Sequence, residues 1–105
     1  MLFRSVATID GIVVGYALAF HSESRAEIHS IAVAPARRGL GVAVALLNRT
    51  IASLQRRGFK TVSLTVRLEN RSAIRLYQKL GFQRVRRVNG YYEDGAPAWR
   101  MRKSG

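Results

Sequence analysis

Cysteine is absent from the 105 residues, which excludes disulfides, thiolate metal sites and a cysteine nucleophile. Histidine occurs only as His21 and His29, without a recognisable metal-ligand spacing, so no metal is expected. There is no linker, repeat or low-complexity segment, and the length suits one domain over residues 1–105. The most apolar run, Ile12 to Phe20, is too short to span a bilayer, and no secretory cleavage pattern follows a basic start. A soluble cytoplasmic protein, without membrane contact, is the expectation.

Acidic residues are also scarce, six against eighteen basic ones, for a net charge of +12. Fifteen of the eighteen are arginine, the side chain best suited to phosphate and carboxylate contacts. The excess could attract an acidic protein, RNA or a ribosomal surface, or it could reflect an arginine-rich proteome. The basic residues are scattered, with no aromatic-interleaved RNA-binding motif among them.

What is present is a regular succession of patterns. Leu2 to Ile9 is rich in β-formers and is followed at once by Asp10-Gly11, a strong signal for a two-residue hairpin. The return strand spans Ile12 to Phe20, and a third strand spans Ala26 to Val33. From about Leu40 to Arg57 the period becomes helical, with Val44, Leu47, Ile51 and Leu54 on one side. Gly58 is placed to stop that helix. Thr61 to Val66 alternates as a strand. Asn70 is a good N-cap for a second helix, Arg71 to Leu80, which Gly81 ends. Two more strands are expected near Phe82 to Val88 and Ala98 to Lys103. The order is βββαβαββ, a mixed α/β (α+β) fold with two main helices. The strand–helix–strand from Ala26 to Val66 implies one parallel pair in an otherwise antiparallel sheet.

Between the third strand and the first helix lies Pro35-Ala36-Arg37-Arg38-Gly39-Leu40-Gly41-Val42-Ala43. Glycines let backbone approach a ligand, and the unpaired N–H groups of a new helix attract anions. Arg37 and Arg38 would strengthen that attraction. On its own the stretch is either a phosphate site or a plain helix start. It is neither the Walker nor the dinucleotide glycine pattern.

It does resemble the signature of the GNAT acetyltransferase superfamily, Arg/Gln-x-x-Gly-x-Gly/Ala. Arg38, Gly41 and Ala43 fill the three specified positions, and Gly39 is a common extra. The resemblance continues in order: AEIHSIAVAPARRGLG is similar to the family's central strand and pyrophosphate loop. LTVRLENRSAIRLYQKLGF is similar to its next strand, asparagine, short helix and Leu-Gly-Phe end. The resemblance implies a sheet whose central parallel strands splay apart around acetyl-CoA. Pantetheine would pair with backbone near Ile31 and Val33, and Arg38, Gly39, Leu40, Gly41, Val42 and Ala43 would hold the pyrophosphate. Asn70 would contact the cofactor arm, and Tyr77 would lie near its sulfur. Bound CoA would bring about −4 of charge, only part of what the basic excess could balance.

Acetyl transfer to nitrogen needs a neutral amine. At pH 7 a lysine is neutral in roughly one molecule per 2,500, and an α-amine in roughly one of seven. A proton-removing route is therefore expected, together with a donor for the departing thiolate. Glu27 and His29 lie two apart on one strand and so point to one face. Family branches place a catalytic glutamate, or a pair of histidines, at the matching positions. A rim carboxylate paired with arginine is the alternative reading of Glu27. Tyr77 falls where many family members carry the tyrosine that protonates the thiolate; helical spacing alone would make it a core aromatic.

The segment RVRRVNGYYEDGAPAWRM resembles the ribosomal-protein N-terminal acetyltransferase branch, which implies that Tyr91 and Tyr92 border the acceptor. That branch carries a catalytic glutamate where this chain has Thr65, so Glu27 or water would have to serve. Family members also usually open with a strand and helices that wall the acceptor groove, whereas this chain starts at what resembles the second strand. A homodimer is one way to supply that wall. The expected activity is acetyl-CoA-dependent N-acetyl transfer to a protein N-terminus, a lysine or a small amine. A non-catalytic acetyl-CoA sensor and a basic RNA- or ribosome-binding domain are the competing readings.

Overall fold

The computed structural model describes residues 2–9, 11–22, 25–33 and 41–104. The elements run β1 (Leu2–Ile9), β2 (Ile12–Ser22), β3 (Arg25–Val33), α1 (Val42–Arg56), β4 (Thr61–Arg67), α2 (Arg71–Lys79), β5 (Gln83–Val88) and β6 (Ala98–Ser104). They form one six-stranded sheet in the order β1-β2-β3-β4-β6-β5. Every neighbouring pair is antiparallel except β3 and β4, which are parallel. That is the expected mixed α/β architecture. Ile9 pairs with Ile12 and Gly11 has φ 77°, as a two-residue hairpin requires; Asp10 lies outside the described residues.

Both helices contribute to one core on one face of the sheet. Leu46, Leu47, Ile51 and Leu54 of α1 are buried, and Leu47, Ile51 and Leu54 meet Ile28, Val62, Leu64, Ile74, Phe82 and Met101. Each such leucine contributes about 1.5–3 kcal/mol by leaving water. The buried stripe is wider than the spacing predicts: Leu46 and Thr50 join it, while Val44 is only half-buried.

The helices end alike, and the reason is local. After α1, Gly58 N–H donates to Gln55 O and Phe59 N–H to Leu54 O; after α2, Gly81 donates to Gln78 and Phe82 to Tyr77. Gly58 and Gly81 both have φ 98°, the left-handed value this ending needs. In α2 the residue after glycine, Phe82, is buried and packs edge-on against Tyr77 with ring centroids 6.0 Å apart. The Leu-Gly-Phe end therefore sets where the Tyr77 ring sits. Lys103 Nζ donates to Leu80 O at 2.7 Å and ties β6 to the same turn.

β5 is an edge strand exposed along almost its whole length, and it carries Arg84, Arg86 and Arg87. Charged edges of this kind resist pairing with another chain. No helix among the described residues is long and apolar enough to cross a membrane.

Candidate active site

The site begins with a defect in β3. Leu18 pairs with Ser30 and Ala19 with Ile28, so His29 is an extra residue, a β-bulge. A bulge bends its strand and increases the twist. Its effect is visible in the core: Ile28 is buried and Ile31, three residues on, also packs against the core cluster, where strict alternation would turn one of them away.

Bending there separates the two parallel strands. β3 and β4 pair only at Arg25–Thr61, Ala26–Val62 and Glu27–Ser63, yet β3 continues to Val33 and β4 to Arg67. Beyond Glu27 the described strands diverge, leaving a wedge with the backbone of Ile31 and Val33 on one wall. Backbone donors and acceptors along such an edge need partners, and an extended amide-bearing ligand supplies them.

α1 starts after that wall. Its N-cap is Gly41 at φ 77° and ψ 8°, with no side-chain cap and no acidic residue in the first turn. Among the described residues no side chain caps the first N–H groups of the helix, and the helix dipole favours an anion there. A Cβ on Gly41 would meet no described residue within 4 Å, while its positive φ favours glycine by itself. Val42 is buried and Ala43 half-buried beside it. The remaining expected phosphate contacts, Arg38, Gly39 and Leu40, lie outside the described residues. Wedge and uncapped helix end together fit a ligand with a long amide arm and a phosphate group, as acetyl-CoA has.

Asn70 caps α2, accepting from the Ala73 N–H at 3.3 Å and from Ser72 Oγ at 3.2 Å. Its carboxamide oxygen is thus committed to the helix start.

On the face of the sheet away from the helices, Glu27 is half-buried. Arg100 of β6 donates Nη2 to Glu27 Oε2 at 3.3 Å and Nη1 to Thr65 Oγ1 at 3.4 Å. The guanidinium therefore spans three strands and sets the Glu27 carboxylate beside Thr65. His29 is exposed, and its ring meets Phe20 edge-on at 5.1 Å. Glu27 and His29 have separate partners, yet Phe20, which the His29 ring meets, is the neighbour of Glu27 across β2 and β3. Among the described residues no group of His, Cys, Asp or Glu could hold a metal.

The third cluster lies at the far end of β4. Arg67 Nη1 donates to Asp94 Oδ2 at 2.9 Å and stands over the Tyr92 ring, 4.2 Å from its centroid. Tyr91 is exposed and packs edge-on against Tyr92 at 4.9 Å. Asp94 also accepts from the Ala96 N–H at 3.1 Å, and Leu68 N–H donates to Pro97 O. Burial, then the neighbouring Tyr92, pushes the Tyr77 phenol above its usual range. Tyr77 therefore stays protonated at neutral pH.

Arg67, Asp94 and Arg100 are the residues that sequence reasoning missed. Each works through a partner 27 or more positions away, and no local pattern marks them.

The sheet opens between its two parallel strands, and a helix with no side-chain cap follows the first of them, a splayed α/β arrangement. The chain belongs to the acetyltransferase (GNAT) family, whose model matches residues 2–82. An N-alpha-acetyltransferase of Sulfurisphaera tokodaii is 36% identical over 109 residues, covering 91% of this chain and 65% of that protein. Among solved structures, the ribosomal-protein-S18-alanine N-acetyltransferase of Escherichia coli superposes with a TM-score of 0.91 at 32% identity, over 98% of this chain and 68% of that one. The NatC complex bound to Gag peptide and CoA matches with a TM-score of 0.85 at 26% identity, over 94% of this chain and 65% of that one. The chain thus spans less than two thirds of the curated Sulfurisphaera relative.

Proposed function

We propose that residues 1–105 act as a single acetyl-CoA-dependent N-acetyltransferase domain whose acceptor is a protein α-amine. The carrying observation is the uncapped, acid-free start of α1 at Gly41, following the strand that leaves the sheet's wedge. Similarity to an N-alpha-acetyltransferase and to an S18-alanine N-acetyltransferase supports the choice of acceptor.

In this reading bound acetyl-CoA supplies a thioester open to attack by the amine. Ile31 and Val33 offer backbone to its arm, and Gly41, Val42 and Ala43, with Arg38, Gly39 and Leu40, hold its phosphates. Asn70 keeps the start of α2 in place beside that arm. Glu27, directly or through water, takes the proton that the acceptor ammonium must lose, with His29 next on the relay. Tyr77, protonated at neutral pH, is the donor for the departing thiolate. Tyr91 and Tyr92 border the acceptor.

The contact between Arg100 and Glu27 favours a second reading, an acetyl-CoA-binding module without transfer, because it occupies a carboxylate oxygen that would otherwise face the acceptor. One experiment separates the two. Thiol release from acetyl-CoA is followed with a panel of peptides, lysine derivatives and small amines, alongside thermal shift by acetyl-CoA. Transfer predicts both a shift and release with at least one peptide; a shift without release leaves the binding module. No shift at high acetyl-CoA sinks both. A homodimer that walls the acceptor groove is tested by mass in solution over a range of concentrations.

A further inference from the structure

The face of the sheet opposite the helices carries a concavity of about 850 Å³ where β3 and β4 still pair. Its walls bring together Arg25 of β3, Arg86 of β5 and Arg100 and Arg102 of β6, with Glu27 the single carboxylate among the described lining residues. Arg100 is engaged by Glu27 and Thr65. Arg25, Arg86 and Arg102 are exposed, and no carboxylate among the described residues pairs with them. Phe20 and Val85, 48% and 45% exposed, complete the lining with apolar surface. Val85 reaches it because β5 has its own bulge: Arg84 pairs with Met101 and Arg86 with Arg100, leaving Val85 as the extra residue.

We propose that this concavity receives an acidic peptide, so that the acceptors of this chain are protein N-termini followed closely by aspartate or glutamate. The inference rests on the transferase reading for one point, that the acceptor amine lies at Glu27. Three guanidinium groups with no carboxylate partner among the described residues, set around Glu27, make a bipolar surface. A peptide N-terminus matches both signs: its ammonium faces Glu27, and side-chain carboxylates after it face Arg25, Arg86 and Arg102. Guanidinium favours such planar bidentate partners. A nucleic-acid strand offers phosphates to the arginines but no cation to Glu27, and its phosphodiesters would be repelled there. The apolar patches of Phe20 and Val85 suit side chains between the acidic ones.

The test is binding of two fluorescently labelled peptides with free N-termini, one with glutamate at its second, third and fourth positions and one with glutamine there. At low salt the acidic peptide is expected to bind about tenfold or more tightly, with the advantage shrinking as salt rises. The double variant Arg86→Gln, Arg102→Gln should erase the preference; both residues are exposed, so the fold is left intact. Arg49→Gln, on the outer side of α1, should leave it unchanged. Equal binding of the two peptides, or a preference that survives the double variant, overturns the proposal. So does an oligouridylate that binds more tightly than the acidic peptide and loses its affinity in the same double variant. Thiol release distinguishes the underlying reading. A retained binding preference with no release from either peptide would sink the transferase reading and leave the acidic site standing. Release at equal kcat/KM from both peptides would sink the acidic preference alone.

Discussion

Arg67 and Asp94 close the loop between β5 and β6 onto the end of β4 through a 2.9 Å charged hydrogen bond. The same guanidinium covers Tyr92, so one side chain holds the loop from two directions. Asp94→Asn keeps the shape and removes the charge. The expected result is a severalfold higher KM for peptide acceptors with kcat little changed, and faster amide exchange at Gly95 and Ala96. Unaltered KM and exchange would show that the loop holds itself.

The pH dependence of that loop has a definite sign. The Ala96 N–H, and then Arg67, hold the Asp94 carboxyl below its usual range. A depressed native value means that the stabilisation is present above the unfolded value, about 3.9, and is lost as pH falls through the native one. Loosening of the loop is therefore confined to acid below about pH 4. An NMR titration of Asp94 with a midpoint at or above the ordinary aspartate value contradicts this.

Tyr77→Phe retains the ring that packs on Phe82 and removes the donor. If Tyr77 protonates the thiolate, kcat should fall by about 10²-fold with little change in melting temperature. Full kcat at saturating substrates eliminates the role. Its raised pKa keeps the donor charged with its proton up to about pH 10, so any basic limb that Tyr77 contributes to kcat falls above that. For stability the sign is the same: the contribution is present below the unfolded value and lost as pH rises through the higher native one.

Ala43→Glu sets two effects of one charge against each other. A carboxylate in the first turn of α1, where none now stands, should stabilise the helix by about 0.3–1 kcal/mol. The same carboxylate should repel the phosphates of acetyl-CoA. The expected outcome is an unchanged or higher melting temperature without ligand and at least tenfold weaker acetyl-CoA binding by calorimetry. Unweakened binding would place the phosphates away from α1.

Leu54 is fully buried at the C-terminal end of α1, and its carbonyl accepts from the Phe59 N–H. Leu54→Ala should cost about 2–5 kcal/mol in urea unfolding. A loss under 1 kcal/mol, the scale expected of exposed sites, would mean that the core there collapses to fill the gap.

The elements, their order and the helix ends were legible in the sequence because they are local. Apolar spacing, Asn70 as a cap and the two Gly-Phe endings act over four or five residues, and their geometry follows from hydrogen bonds within that reach. The Gly41 end of α1 was legible for the same reason, as were the family signature and the order βββαβαββ. The bulge at His29 was not, because it is a mismatch between two strands and leaves no mark in either one alone. The opening of β3 from β4 was implied by the family resemblance, but only the tertiary structure set Arg100 between Glu27 and Thr65 and brought Arg67 to Asp94. Those pairings depend on register across the sheet, where one residue of slip exchanges its two faces.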